Sequence, residues 1–108
     1  MQGSIMMGMG EALMEEIKYD DCGRILNANL AEYKIPTSLD MPPLEAIIIE
    51  SHEPNGPFGA KEVGEGAIMP TIPAILNAIY DATGVRINEL PVTPERIRQA
   101  LRVAGKTK

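Results

Sequence analysis

The run "GPFGAKEVGEG", residues 56–66, concentrates the groups in this chain that could do chemistry. Two carboxylates, Glu62 and Glu65, lie three residues apart among four glycines, with Lys61 beside them. Glycine lets backbone approach a ligand closely and adopt dihedrals closed to other residues. A carboxylate held there in a closed, water-poor site has its pKa raised and becomes a general base near neutral pH. The run leads straight into an apolar helical stretch, whose N-terminus favours an anion. On composition alone the same loop also reads as a solvated turn, and both readings are open.

Other reactive residue types are scarce. His52, the single histidine, follows an apolar run in "SHEPNGP" and reads as a loop residue. Cys22, the single cysteine, sits in a turn beside Asp20 and Asp21, which disfavours a thiolate, so it receives no role. A zinc site needs more Cys or His than this, and no metal ligands are expected from the chain itself. The glycines at 3, 8 and 10 do not make a phosphate loop, because no Lys-Ser/Thr follows and no strand precedes them.

The elements that must position the loop follow from apolar spacing. "SIMMGMGEALMEEI", residues 4–17, predicts a helix with Ile5, Met9, Ala12, Leu13 and Ile17 on its inner stripe. Gly8 and Gly10 in its interior cost about 1 kcal/mol each relative to Ala and point to a close approach. Residues 17–19 and 24–27 predict a hairpin around Gly23, a natural site for positive φ. Residues 29–43 are irregular, their path set by Pro36, Pro42 and Pro43. "LEAIIIE", residues 44–50, predicts a strand buried on both faces. "AIMPTIPAILNAIYDATG" predicts a deeply buried helix with prolines in its first turn and Gly84 just past its end. Residues 84–92 predict a short strand or extended link. "TPERIRQALRVAG" predicts a helix capped by Thr93, with Pro94 at its first position. The whole chain, residues 1–108, therefore reads as one α+β domain: about three helices packed in two layers on a small mixed or antiparallel sheet.

Composition narrows the function classes. A formal net charge of −5 gives no reason to expect a nucleic-acid partner. The basic run Arg96, Arg98, Arg102, Lys106 and Lys108 reads as a solvated helix face and tail. No apolar stretch approaches the ~20 residues of a membrane span, and the first residues lack the basic region of a signal peptide. One cysteine precludes an internal disulfide, so a reducing, cytoplasmic setting is expected.

Several motifs together resemble one family. "GPFGAKEVGEG" followed by "NAIYDATGVRINELPVTPERI" is similar to the C-terminal end of the large, molybdenum-binding subunit of the xanthine dehydrogenase/aldehyde oxidase family. Upstream, residues 8–50 resemble that family's G-x-G-x-A-L-x-E-E helix, its G-R-x-L-N hairpin and its Y-K-I-P-T loop. The resemblance covers nearly the whole chain in order. It implies hydroxylation of an aromatic heterocycle or an aldehyde with water-derived oxygen. The glutamate that ends the family's V-G-E motif is the general base, and that position is Glu65 here. Lys61, Val63 and Gly64 would line the cofactor side of the loop, chiefly through backbone. Gln2, Gly3 and Ser4 are the nearest cofactor contacts left in the first helix, where Met7 replaces a glutamine common in relatives. Glu62 stands at a variable position and is assigned no catalytic role.

The implied cofactor is molybdopterin with its molybdenum, which in bacterial relatives commonly carries a cytosine nucleotide. The implied partners are the remainder of the molybdenum-binding subunit and the iron–sulfur and FAD subunits. Family subunits are several times longer than this chain, so it is expected to act as a fragment or split subunit and to be inactive, without cofactor, by itself. The alternative is an inactive stand-alone or truncated module. Either way its Ile- and Met-rich faces need covering, and a homo-oligomer is expected of the isolated chain.

Overall fold

The computed structural model describes residues 1–106. Three α-helices organise them: α1 (Gln2–Leu13), α2 (Ile68–Thr83) and α3 (Pro94–Val103), with a 3₁₀ turn at Pro57–Gly59. The expected sheet is absent among the described residues. The only β pairing there is one antiparallel bridge between Tyr19 and Ile25. The α+β expectation is therefore corrected: the fold is helical, joined by long irregular segments.

The reason lies in what a strand needs. Residues 44–50 have strand composition, but a strand exists only when a neighbour takes its backbone hydrogen bonds. No such neighbour is present among the described residues. Ile47, Ile48 and Ile49, expected to be buried on both faces, are 70%, 74% and 87% exposed. Residues 84–92 form no strand either: the chain bends at 84 and again at 89–91, and its one backbone tie to α1 is from Val92 N to Ala12 O. The expected hairpin forms as a short one, with Leu26 N–H donating to Lys18 O at 2.8 Å and Asp20 N–H to Arg24 O at 2.9 Å on either side of the Tyr19–Ile25 bridge. Asp20 Oδ1 accepts from the N–H groups of Cys22 (2.9 Å) and Arg24 (2.8 Å), and Gly23 adopts φ +78.

Local helix signals are realised. Thr93 Oγ1 accepts from Arg96 N at 3.3 Å, with Pro94 at the first helical position of α3. Gly84 closes α2 in the left-handed region at φ 66, its N–H bonding Tyr80 O at 2.6 Å. Pro70 falls in the first turn of α2, where no N–H is required, and Pro73 lies in the next. Lys108 of the basic tail lies outside the described residues.

The packing differs from the expected stripes. Of the expected stripe Ala12 is fully buried while Ile5, Met9 and Leu13 are only partly covered; the other buried positions of α1 are Ser4, Gly8 and Gly10. Ser4, Gly8 and Ala12 are spaced by four and form a small-residue face on which α2 lies directly. A Cβ at Gly8 would stand 2.8 Å from Thr71 Cβ and 3.1 Å from Ile68 O, so the interior glycine serves this approach. Ile17, assigned to the stripe, lies beyond the helix and is half exposed. No residue of α2 is buried, which corrects its expected deep burial.

The rest is tied on by polar contacts. Val92 N donates to Ala12 O at 2.6 Å, and Arg96 donates to Glu16 Oε1 (2.8 Å) and Pro91 O (2.6 Å). Buried Asn27 bridges Glu16 O (2.7 Å) and Lys18 N (2.9 Å). The radius of gyration is 17.8 Å, against ~13 Å for a compact domain of this length. The accessible surface is 8489 Å², against roughly 5,900 Å² for a compact 11.7 kDa monomer. Buried apolar side chains are few among the described residues: Ala12, Val85 and Val92. Such a chain has the proportions of a piece shaped to be covered. Among the described residues no helix is long and apolar enough to cross a membrane.

Candidate functional site

The glycine-rich run is a folded loop with its own backbone lattice. Glu53 N bonds Gly59 O (3.1 Å), Gly59 N bonds Gly56 O (3.1 Å) and Ala60 N bonds Pro57 O (3.0 Å). Gly59 takes φ +76 under the His52 ring; a Cβ there would lie 2.7 Å from His52 Nδ1. His52 thus packs as part of the loop. Its neighbour Phe58 also has positive φ, 55, uncommon for a bulky residue, and its ring is fully exposed.

Beyond Ala60 the chain runs extended to a bend at Gly64 and Glu65. Glu62 Oε1 accepts from Glu65 N at 3.0 Å, and Glu65 O accepts from Ile68 N at 2.9 Å, which opens α2. The backbone of Glu65 is held on both sides, while its carboxylate makes no hydrogen bond among the described residues and faces water. Ser4, nearly fully buried in α1, donates its hydroxyl to Gly64 O. That single bond joins segments sixty residues apart.

The result is a recess of about 1260 Å³ between the start of α1, residues 46–52 and residues 58–63. Gln2, Gly3, Lys61 and Val63 all line it. Ser4 and Gly64 are bonded to each other beside it, and Glu65 stands exposed two residues past Val63. Of the sequence-derived set, Gln2, Gly3, Lys61 and Val63 line the recess, while Ser4, Gly64 and Glu65 do not. Gln2 Nε2 also reaches Leu44 O at 3.4 Å. Lys61 shares the lining with Glu50 and Glu62, and His52 and Ser51 add polar edges. Apolar Ile48, Ile49 and Phe58 complete it. A second groove of about 570 Å³ between residues 84–89 and α3 holds Arg96, but that guanidinium is already engaged by Glu16 and Pro91.

Two participants escaped the sequence reading. Ser4 was considered for a ligand, whereas its hydroxyl ties down the loop. Glu62 positions the bend through the Glu65 N–H, and its three-residue spacing is the signal that local side-chain to backbone bonding leaves in a sequence. Among the described residues no group of three or more His, Cys, Asp or Glu side chains forms a metal site.

Known proteins share both sequence and fold. A family model for the molybdopterin cofactor-binding domain matches residues 1–42. A xanthine dehydrogenase molybdenum-binding subunit of Escherichia coli O157:H7 is 45% identical over 104 residues, covering 95% of this chain and 14% of that protein. An aldehyde oxidoreductase molybdenum-binding subunit of Escherichia coli K12 is 40% identical over 101 residues, covering 92% of this chain and 14% of its own length. Quinoline 2-oxidoreductase from Pseudomonas putida 86 superposes with a TM-score of 0.85 and 35% identity, over 94% of this chain and 13% of that one. The chain spans about a seventh of the length of these relatives. On sequence and fold together, it belongs to the xanthine dehydrogenase/aldehyde oxidase family, corresponding to one stretch of a molybdenum-binding subunit.

Proposed function

We propose that this chain supplies one wall of a molybdenum hydroxylase active site, with Glu65 as the general base and the rest of the molybdenum-binding subunit as the opposite wall. The observation that carries the reading is the Ser4–Gly64 bond. It locks the loop bearing Glu65 onto the first turn of α1, inside the stretch matched by the cofactor-binding family. Iron–sulfur and FAD subunits are the electron-carrying partners in this reading, and the assembly is cytoplasmic.

The recess fits a pterin in size and donor set. Its volume exceeds the ~300–1,000 Å³ of ordinary ligand sites. The Gln2 amide, the Lys61 ammonium and nearby backbone offer the donors that pterin carbonyls and a phosphate require. When bound, the molybdenum centre supplies the electrophilic, two-electron-accepting site at which an aromatic heterocycle or aldehyde is hydroxylated.

The chain's own part is to hold and to deprotonate. Lys61 and Gln2 hold the anionic and amide-like edges of the cofactor. Glu62 fixes the Glu65 N–H, and the α2 N-terminus fixes the Glu65 C=O, so the carboxylate swings only about its own side-chain torsions. Unpaired among the described residues, that carboxylate is free to take a proton from the oxygen delivered to substrate. Covering of the mouth by the remaining subunit excludes bulk water and strengthens the base.

A chimera tests the assignment of the wall. The 104 matched residues of the E. coli xanthine dehydrogenase subunit are replaced by this chain. Lys61→Ala in that chimera is expected to lower pterin content about tenfold, the loss of a charged contact to an anion. Turnover per bound pterin stays within about threefold. Full pterin content in the variant would remove Lys61 from the cofactor wall.

A further inference from the structure

We propose, on the reading of the recess as a cofactor wall, that His52 is a positioning residue for it. The imidazole clasps Gly59 and so fixes the point from which Lys61 and Val63 run along the recess. Residues 61–63 have no regular structure, and among the described residues none of their backbone N–H or C=O groups takes a hydrogen bond. They are a span carried by its two ends. The downstream end is tied by Ser4 to Gly64 O and by Glu62 Oε1 to Glu65 N. The upstream end is Ala60, and Ala60 is held by the loop that His52 closes.

A Cβ at Gly59 would lie 2.7 Å from Nδ1 and 2.8 Å from Cε1 of His52, so the imidazole rests on bare backbone. The next residue, Glu53, donates its N–H to Gly59 O at 3.1 Å. Two consecutive residues thus grip one glycine, the first by its ring and the second by its main chain. Ala60 N bonds Pro57 O at 3.0 Å, and a Cβ at Gly56 would collide with Ala60 O, so Ala60 is packed against the same loop. Inside it the backbone is left-handed at two successive residues, Phe58 at φ 55 and Gly59 at φ 76. A bulky residue keeps that conformation only where its surroundings impose it. The Phe58 ring is fully exposed and imposes nothing, which leaves the grip on Gly59 as the constraint. His52 is itself exposed and lines the recess, so its loss changes geometry more than stability.

Pterin per subunit in the E. coli chimera tests the clasp, with melting temperature read beside it. His52→Ala is expected to lower pterin content about tenfold, the low end for losing a group that orients a ligand contact. Its melting temperature stays within about 2 °C of the parent, as for an exposed side chain. His52→Phe keeps a flat ring over Gly59 and recovers most of the parent's pterin. Gly59→Ala drives a Cβ into the ring at a positive φ and loses at least as much as His52→Ala. Combined, the two alanine substitutions lose no more than Gly59→Ala alone, because both break one contact. Lys61→Ala separates the two ways to fail. If it also keeps full pterin, the cofactor wall is wrong and the clasp's role falls with it; if Lys61→Ala loses pterin and His52→Ala does not, the clasp alone is refuted. Equal losses in His52→Ala and His52→Phe would make the imidazole a direct cofactor contact. Losses that multiply in the double variant, or that track a fall in melting temperature, would likewise overturn the positioning role.

Discussion

Replacing Glu65 by glutamine in the completed enzyme is expected to cut turnover by roughly a hundred- to ten-thousand-fold, the range contributed by a positioned general base. Glutamine has the same shape and still accepts a hydrogen bond, but it cannot take up a proton. The carboxylate holds no other part of the chain, so the loss appears in turnover while molybdenum and pterin content stay unchanged. Glu62 provides the contrast. In Glu62→Gln the side-chain oxygen still accepts from Glu65 N, whose bond is 3.0 Å in the native loop. Turnover then falls by less than about tenfold. Glu62→Ala loses that bond and loosens the bend, so it is the more damaging of the two, by a geometric route. Steady-state kinetics normalised to molybdenum separates these outcomes. Equal loss in Glu65→Gln and Glu62→Gln would remove the distinction between base and positioning residue.

The second large effect concerns stability. Gly8→Leu is expected to destabilise the chain by about 3 kcal/mol or more, because the side chain must enter the α1–α2 contact. Even the first carbon would meet Thr71 Cβ at 2.8 Å and a backbone oxygen, Ile68 O, at 3.1 Å, and backbone cannot rotate aside. This is the main helix–helix contact of the described chain, so its separation leaves little apolar burial to hold the fold. Gly3→Ala is the control on the same helix. Nothing lies within 4 Å of a Cβ at Gly3, so the change is expected to stabilise by about 1 kcal/mol through helix propensity alone. Thermal melts followed by circular dichroism read both. A Gly8→Leu variant as stable as the parent would show that α1 and α2 do not pack as closely as described.

These outcomes reflect which parts of the structure the sequence could reveal. Helix ends are local: Thr93 and Pro94 start α3, and Gly84 stops α2, through contacts within one turn. Turn chemistry is local too, as Asp20 and Gly23 demonstrate. Residues 44–50 are different, because composition fixes their preference for extension while pairing depends on a partner elsewhere. Reading them as a buried strand supplied a partner that the described residues do not contain. Burial on α1 misled for a related reason. An apolar-stripe argument places Ala12 correctly but ranks Ile and Met as interior beside it, whereas the buried neighbours are Ser4 and Gly8. The two glycines pointed to that approach without naming Thr71 as its other side.

The candidate site divides along the same line. Glu65, Lys61, Val63 and Gly64 are legible as one short motif. Their meeting with Gln2, Gly3 and Ser4 depends on a bond across sixty residues, which no spacing rule encodes. The exposed face of Glu65 is also a long-range matter. Nothing among the described residues covers it, and in the proposed reading its chemistry rests on a wall formed by other residues.

Molybdenum content is the most direct measure of that dependence. The chimera carrying this chain in place of the 104 matched residues of the E. coli subunit is purified and its molybdenum measured per subunit. The proposed wall predicts stoichiometric molybdenum together with pterin. A folded, stable chimera that holds neither would contradict it.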